Sequence, residues 1–380
     1  METSNGPALP KVTPENKASH ASKAAEATGS KAEPVRVAVV TSDVPFVEGG
    51  HRVIARNLAA ALQQHGFRVE IIRTAQNRFG RQFAAYLANW LTDVSESGDG
   101  VPVDQVISLR YPSYAVRHPR HVCWLTHRMR EYYDLWPRFK EQLSWKGRIK
   151  EGTRRFMVHR ADGYLLRRNV TRLFALSKTV QERLMKWGNI SSEVLYPPPP
   201  VRAYRTEAYD NYIFAVSRLH PLKRVSLLLK AMQHVKSDDI RVVIAGSGEE
   251  EDELRRLAVE LDIMKRVEFL GRVDEETLIH HYARCRAVFF APFMEDFGFV
   301  TLEAARSKKP VITCLDSGGP AELVTNGRSG YVLLPDPHFI ARQIDVLADN
   351  RELAMRMGNM AEESVRSITW EATLSRLLLP

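Results

Sequence analysis

The chain has 380 residues, with 54 Lys and Arg against 45 Asp and Glu for a formal net charge of +9; that length exceeds what one hydrophobic core usually organises, so two domains are expected. A composition of 44% hydrophobic and 26% charged residues excludes wholesale disorder, and no run reaches the roughly 18 to 20 apolar residues of a membrane-spanning helix. The opening residues lack the apolar core of a signal peptide, and Cys123, Cys285 and Cys314 form no CxxC or Cys/His cluster, so a cytoplasmic chain with reduced cysteines and no metal is expected, its excess positive charge suited to anionic partners.

Residues 1–34 are rich in Ala, Ser, Lys, Pro, Thr and Glu and nearly devoid of large apolar side chains, which predicts a disordered tail. From Val35 to Thr41 a β-branched run reads as a strand buried on both faces. A Gly-rich loop ending at Gly49-Gly50 follows, then Val53, Ile54, Leu58 and Leu62 at helical spacing, Gly66 as a helix stop, and a second strand from Phe67 to Ile72. That is a βαβ unit. Further short strands are predicted at 105–109, 121–125, 163–166 and 173–176. Between Lys146 and Arg172 the basic residues Lys146, Arg148, Lys150, Arg154, Arg155, Arg160, Arg167, Arg168 and Arg172 gather around Trp145 and Phe156; the segment reads first as a solvated helix face and second as a membrane-surface patch.

The run Pro197–Pro200 cannot continue a helix or a central strand and marks the domain boundary. Beyond it the β/α alternation resumes, with strands predicted at 212–217, 241–246, 267–271, 287–290 and 310–313. The fold class is therefore α/β, two Rossmann-like domains at 35–200 and 201–365, with the last segment 366–380 helical.

Chemistry-bearing residues collect where these strands end. After the strand at 287–290 comes Glu295-Asp-Phe-Gly298-Phe299-Val300-Thr-Leu-Glu303, leading into a helix whose first amides are free to receive a phosphate or sugar hydroxyl. Glycine at 298 permits close approach. Glu295 on the loop and Glu303 in the helix can face one crevice without touching, each carboxylate accepting from a vicinal diol. Two such Glu are commonly surface residues, but the carboxyl edge of an open α/β sheet is where ligands bind. Arg218 and Lys223 follow the strand at 212–217 and reach the same edge, where fixed cations stabilise a departing diphosphate. Gly50 offers backbone from the other half, and His127, ending the strand at 121–125, faces the interdomain cleft beside Arg128, Arg130 and Glu131. There is no P-loop, no HExxH, no GxSxG and no zinc-ligand array. Gly246-Ser-Gly248 has Glu251 where a dinucleotide fingerprint requires Gly or Ala.

Together these residues resemble family 4 of the retaining GT-B glycosyltransferases, whose E-x7-E hallmark stands here as Glu295 to Glu303. The likeness includes Gly49-Gly50, Arg218 with Lys223, Gly271-Arg-Val273, Pro310-Val-Ile312, Gly318-Gly-Pro-Ala-Glu322 and Asn326-Gly-Arg-Ser-Gly330. The resemblance implies a GT-B architecture with an interdomain cleft and a final helix crossing back to the first domain. It further implies metal-independent transfer of a hexose-type sugar, with retention, from a UDP- or GDP-sugar to a glycan or lipid-linked acceptor. No other cofactor and no nucleic acid enter. It assigns the diphosphate to Arg218 and Lys223, the ribose to Glu303, the transferred sugar to Glu295 and His127, the base to the main chain at Val273, and phosphate and sugar contacts to Gly298, Phe299 and Val300. Two departures stand out: Arg224 where a glycine commonly follows the lysine, with altered phosphate contacts expected, and Lys309 where a glycine commonly precedes Pro310, expected at the surface. Competing readings are another GT-B enzyme such as a nucleotide-sugar epimerase, and a basic, non-catalytic binding protein on the same fold.

Overall fold

Parallel strands covered on both faces by helices need to be apolar throughout, and the chain alternates such strands with amphipathic helices. A computed structural model describes residues 34–43, 50–75 and 79–380. In chain order the first half comprises β1 (Arg36–Asp43), α1 (Gly50–Gln64), β2 (Arg68–Ala75), α2 (Gln82–Leu91), β3 (Gln105–Ser108), β4 (His121–Leu125), α3 (Trp136–Glu141), α4 (Trp145–Arg168), β5 (Arg172–Ala175), α5 (Lys178–Lys186) and β6 (Glu193–Val194). The second half comprises β7 (Tyr212–Val216), α6 (Val225–Met232), β8 (Arg241–Ala245), α7 (Glu251–Glu260), β9 (Val267–Gly271), α8 (Glu275–Arg284), β10 (Ala287–Phe289), α9 (Phe299–Arg306), β11 (Val311–Cys314), α10 (Gly319–Leu323), β12 (Gly330–Leu333), α11 (Pro337–Asp349), α12 (Arg351–Val365) and α13 (Trp370–Leu377).

The strands form two six-stranded sheets, ordered β2-β1-β3-β4-β5-β6 and β12-β11-β10-β7-β8-β9, and every pairing between named strands is parallel. In the second sheet the order turns around between β7 and β10, the position at which an open α/β sheet receives its ligand. The expected strand at 163–166 does not form: those residues lie inside the 24-residue helix α4. Val158, Asp162, Leu165 and Leu166 are among its buried positions, spaced by helical turns, so the brief apolar run is one stripe of a helix. The short β6 and β12 have no counterpart among the expected strands.

One apolar cluster joins the halves. Phe297, Leu302 and Ala305 of the latter pack with Trp124, Phe174 and Leu195 of the former, and Ala361, Val365, Leu374 and Leu377 from α12 and α13 complete it. α13 is therefore seated on the first sheet, where the Gln105 side chain donates to Leu377 O at 2.7 Å and accepts from Leu379 N at 2.9 Å. The expectation of disorder for 1–34 lies almost wholly outside the described residues, as does Gly49. All three cysteines are free and buried.

Candidate functional site

The carboxyl ends of β7 and β10 open into a cavity of about 520 Å³, lined among others by Gly50, Thr126, His127, Arg218, Lys223 and Glu295. Gly298, Phe299 and Val300 complete its floor. Of the residues singled out from sequence, Val273 and Glu303 are not in its wall. Val273 packs half-buried beside the apolar layer of β7 and β8.

Each side chain is held by a local device. His220 caps a single 3-10 turn, Pro221–Lys223, its Nδ1 accepting from Leu222 N at 3.1 Å, and this turn delivers Lys223. Phe293 N donates to Leu222 O at 2.7 Å, so the loop carrying Glu295 is tied to the lysine turn. On its other side Glu295 N donates to Ser317 O at 2.9 Å and Glu295 O accepts from Gly319 N at 3.0 Å. The result is an ion pair, Lys223 Nζ to Glu295 Oε2 at 2.7 Å, with the side chains 19% and 24% exposed. Arg218 is exposed and has no acidic partner among the described residues.

Gly298 caps α9 with φ of 82°, and a Cβ there would stand 2.5 Å from Phe290 Cε1. Only glycine fits. The amides of Phe299 and Val300 open the helix with no acceptor among the described residues, leaving donors and the positive end of the helix at the cavity. Gly246 has a different use from the dinucleotide fingerprint weighed above: a Cβ on it would lie 1.8 Å from Ser217 O, so the turn after β8 packs directly on the backbone that carries Arg218.

Glu303 sits behind the cavity, 6% exposed. Arg202 Nη1 donates to its Oε1 at 2.6 Å and Tyr282 OH to its Oε2 at 2.8 Å. Burial pushes its pKa up, opposed by Arg202 and the tyrosine hydrogen bond. The two carboxylates of the E-x7-E stretch thus occupy different settings, one in the cleft wall and one in a buried triad.

Two departures from the family pattern resolve differently. Arg224 adopts the left-handed conformation, φ 52°, and its guanidinium turns into the loops: it donates to both oxygens of Asp316 at 2.7 Å, to Ala291 O at 2.7 Å and to Pro292 O at 3.0 Å. It pins the chain just before Glu295. Lys309, expected at the surface, is fully buried; its Nζ donates to Ala208 O and lies 3.5 Å from the Tyr209 ring centroid. Burial lowers its pKa to about 8.

No sequence motif marks Asp296, next to Glu295, yet it ties the two halves together. Burial opposes its ionisation, yet Arg130 and Arg183 hold it down at about 2. Arg183 from α5 bonds its carboxylate and also Met294 O at 2.7 Å, while Ser177 Oγ donates to Asp296 O at 2.5 Å. The loop carrying Glu295 is therefore fastened to the opposite half. Glu322 of α10 adds a second fastening, accepting from Lys178 N, Thr179 N and Tyr196 OH, so a carboxylate of one half caps a helix of the other. His127 donates through Nδ1 to Arg128 O at 2.8 Å, which leaves Nε2 as an acceptor toward the cavity. Burial first, and the Arg110 cation second, lower its pKa to about 4, so it is neutral at physiological pH.

With this geometry in view, residues 202–364 match the model of the family described as Glycosyl transferases group 1. That match lies within the second lobe. A D-inositol 3-phosphate glycosyltransferase of Corynebacterium glutamicum is 36% identical over 173 residues, 43% of this chain and 41% of that protein. The match thus spans under half of that relative's length. Among solved structures, a sucrose-phosphate synthase from Thermosynechococcus elongatus superposes with TM-score 0.70 at 18% identity, covering 90% of this chain and 97% of that one. Anabaena Alr3699/HepE in complex with UDP and glucose gives TM-score 0.65 at 19% identity, covering 89% and 97%. These likenesses span both halves, and the fold is GT-B, two Rossmann-like lobes about a cleft.

Proposed function

We propose that the chain is a retaining, metal-independent glycosyltransferase that moves a hexose-type sugar from a UDP- or GDP-sugar onto a glycan or lipid-linked acceptor. The observation that carries this reading is the convergence of Arg218, Lys223, Glu295 and the free amides of α9 on one cavity, opposite His127. Arg218 and Lys223 take the charge that grows on the leaving diphosphate. Amides of Phe299 and Val300 bind phosphate or sugar oxygens. Glu295 accepts from sugar hydroxyls, and neutral His127 accepts from a hydroxyl through Nε2. Glu303 reaches a ribose once the triad with Arg202 rearranges, and the main chain at Val273 lies against the base. The proteins named above support this reading: one is named a D-inositol 3-phosphate glycosyltransferase, and another is solved in complex with UDP and glucose. An epimerase would use the same donor contacts, so product analysis is the decisive assay. The expected result is free nucleotide plus an elongated acceptor, unaffected by chelators, and its loss in Lys223→Ala. An isomerised donor, or full turnover in that variant, refutes the reading.

The first lobe also supports peripheral contact with an anionic membrane. α2 contains no charged residue and exposes Phe83, Leu87 and Leu91. Beside it, joined through the Tyr86–Asp162 hydrogen bond, α4 exposes Trp145, Ile149, Phe156 and Tyr164 among arginines and lysines, while both of its acids, Glu151 and Asp162, are buried. An apolar surface with exposed charge of one sign suits an anionic interface. Flotation with anionic vesicles, lost in Leu87→Glu and absent with neutral lipid, is the expected outcome.

A further inference from the structure

Among the described residues, the cavity holds one cation that the donor contacts leave unused. Arg110 follows β3 in the first lobe and is 6% exposed, yet no acceptor reaches its guanidinium among the described residues, and its Nε is buried without a partner. Its carboxylate neighbours are already committed: Asp43 is bonded to Arg52 at 2.8 Å, and Asp296 to Arg183 with Arg130 at 3.8 Å. Glu131 acts on it only through the field, with Asp43 and Asp296. Even so, burial lowers its pKa only to about 10, so it remains charged.

A second orphan stands beside it. Thr126 N donates to Leu109 O at 2.8 Å and Tyr111 N to His127 O at 3.2 Å, which sets Arg110 against Thr126. The hydroxyl of Thr126 is buried and has no partner among the described residues. Both side chains line the cavity, in the wall facing Arg218 and Lys223. Leaving a buried guanidinium and a buried hydroxyl without a protein partner is costly, and such cost is retained where a ligand relieves it. Two donors side by side, one of them cationic, fit an oxyanion.

We infer that Arg110 and Thr126 form a subsite for an anionic group, phosphate or carboxylate, on the acceptor. The inference rests on the proposed transferase reading, which puts the donor against the second lobe and leaves the first-lobe wall to the acceptor. The guanidinium forks onto two oxygens of the anion, the threonine hydroxyl donates to one of them, and the acceptor is thereby oriented beside His127.

The test is calorimetric titration of inorganic phosphate into the full chain saturated with UDP, or with GDP if only that binds. One phosphate is expected to bind, at least tenfold more weakly in Arg110→Gln, less so in Thr126→Val, with nucleotide affinity altered less than twofold. Because the substitution removes an unpaired buried charge, the ligand-free Tm of Arg110→Gln should equal or exceed that of the natural chain. An equal loss of nucleotide affinity assigns the guanidinium to the donor and overturns the inference. So does a lower Tm, which would make Arg110 structural, or phosphate binding that the variants leave unchanged. Should neither nucleotide bind, the donor reading falls by itself, whereas phosphate titrated into the nucleotide-free chain and Arg110→Gln still reads the subsite.

Discussion

Replacing Glu295 with Gln should move affinity and turnover in opposite directions. Lys223 is paired with Glu295 at 2.7 Å, so a diphosphate arriving at the lysine competes with a carboxylate already there. With side chains 19% and 24% exposed, the pair lies at the upper end of solvent-screened ion pairs, about 1 kcal/mol. Since ~1.4 kcal/mol is tenfold in affinity, release of the lysine tightens UDP or GDP binding by about fivefold. Turnover falls meanwhile, on the order of 100-fold, because the group that accepts from the sugar as charge develops has lost its own charge. Calorimetric titration of the nucleotide at low salt reads the first effect and single-turnover transfer the second. At 1 M salt, where the Debye length is about 3 Å, the affinity difference should shrink. Nucleotide affinity unchanged or weakened in Glu295→Gln would refute the competition, and with it the placement of the diphosphate at Lys223.

Arg224→Gly relieves a left-handed residue but removes the donors that hold Asp316, Ala291 O and Pro292 O; even one lost charge-assisted bond, at ~1.5 to 3 kcal/mol, outweighs relief of about 1 kcal/mol, so with all of them gone urea unfolding should show a net loss of several kcal/mol. His121 is fully buried, bonded to Asn169 O and Ser108 Oγ at 2.8 Å each, and burial lowers its pKa to about 4. The unfolded chain therefore takes up a proton first: from pH 6.5 down to 4 stability falls by about 3 kcal/mol on its account, and His121→Gln should lack that component. For Lys309, neutral in the folded chain above about pH 8, the sign is that stability rises from pH 8 towards 10.5, and the difference in unfolding free energy between the natural chain and Lys309→Met should track that window.

Strand edges were legible because parallel strands buried on both faces are written as continuous apolar runs, and the residues that follow such runs must emerge at one rim. That logic brought His127, Arg218, Lys223 and Glu295 to one cavity. The same logic reaches Arg110, which stands two residues past β3 as His127 stands two past β4, but no motif marks it. Asp296 was hidden in plain view between Glu295 and Gly298, since nothing local indicates that Arg183 of the other lobe will claim it. Residues 163–166 misled because a four-residue apolar run cannot by itself distinguish a strand from the buried stripe of a long helix. Glu303 and Lys309 share a deeper reason. Glu303 is bound by Arg202 and Lys309 by Ala208 O, each 101 residues away in sequence. Whether a charged side chain meets solvent, ligand or protein is decided by partners at that range, and burial of a charge is tolerated only when such partners exist. The rim of a sheet can therefore be read from local pattern, whereas the state of each charge on it depends on which counter-charges the tertiary fold has already consumed. Arg110 is conspicuous because its neighbours' charges are consumed and its own is not.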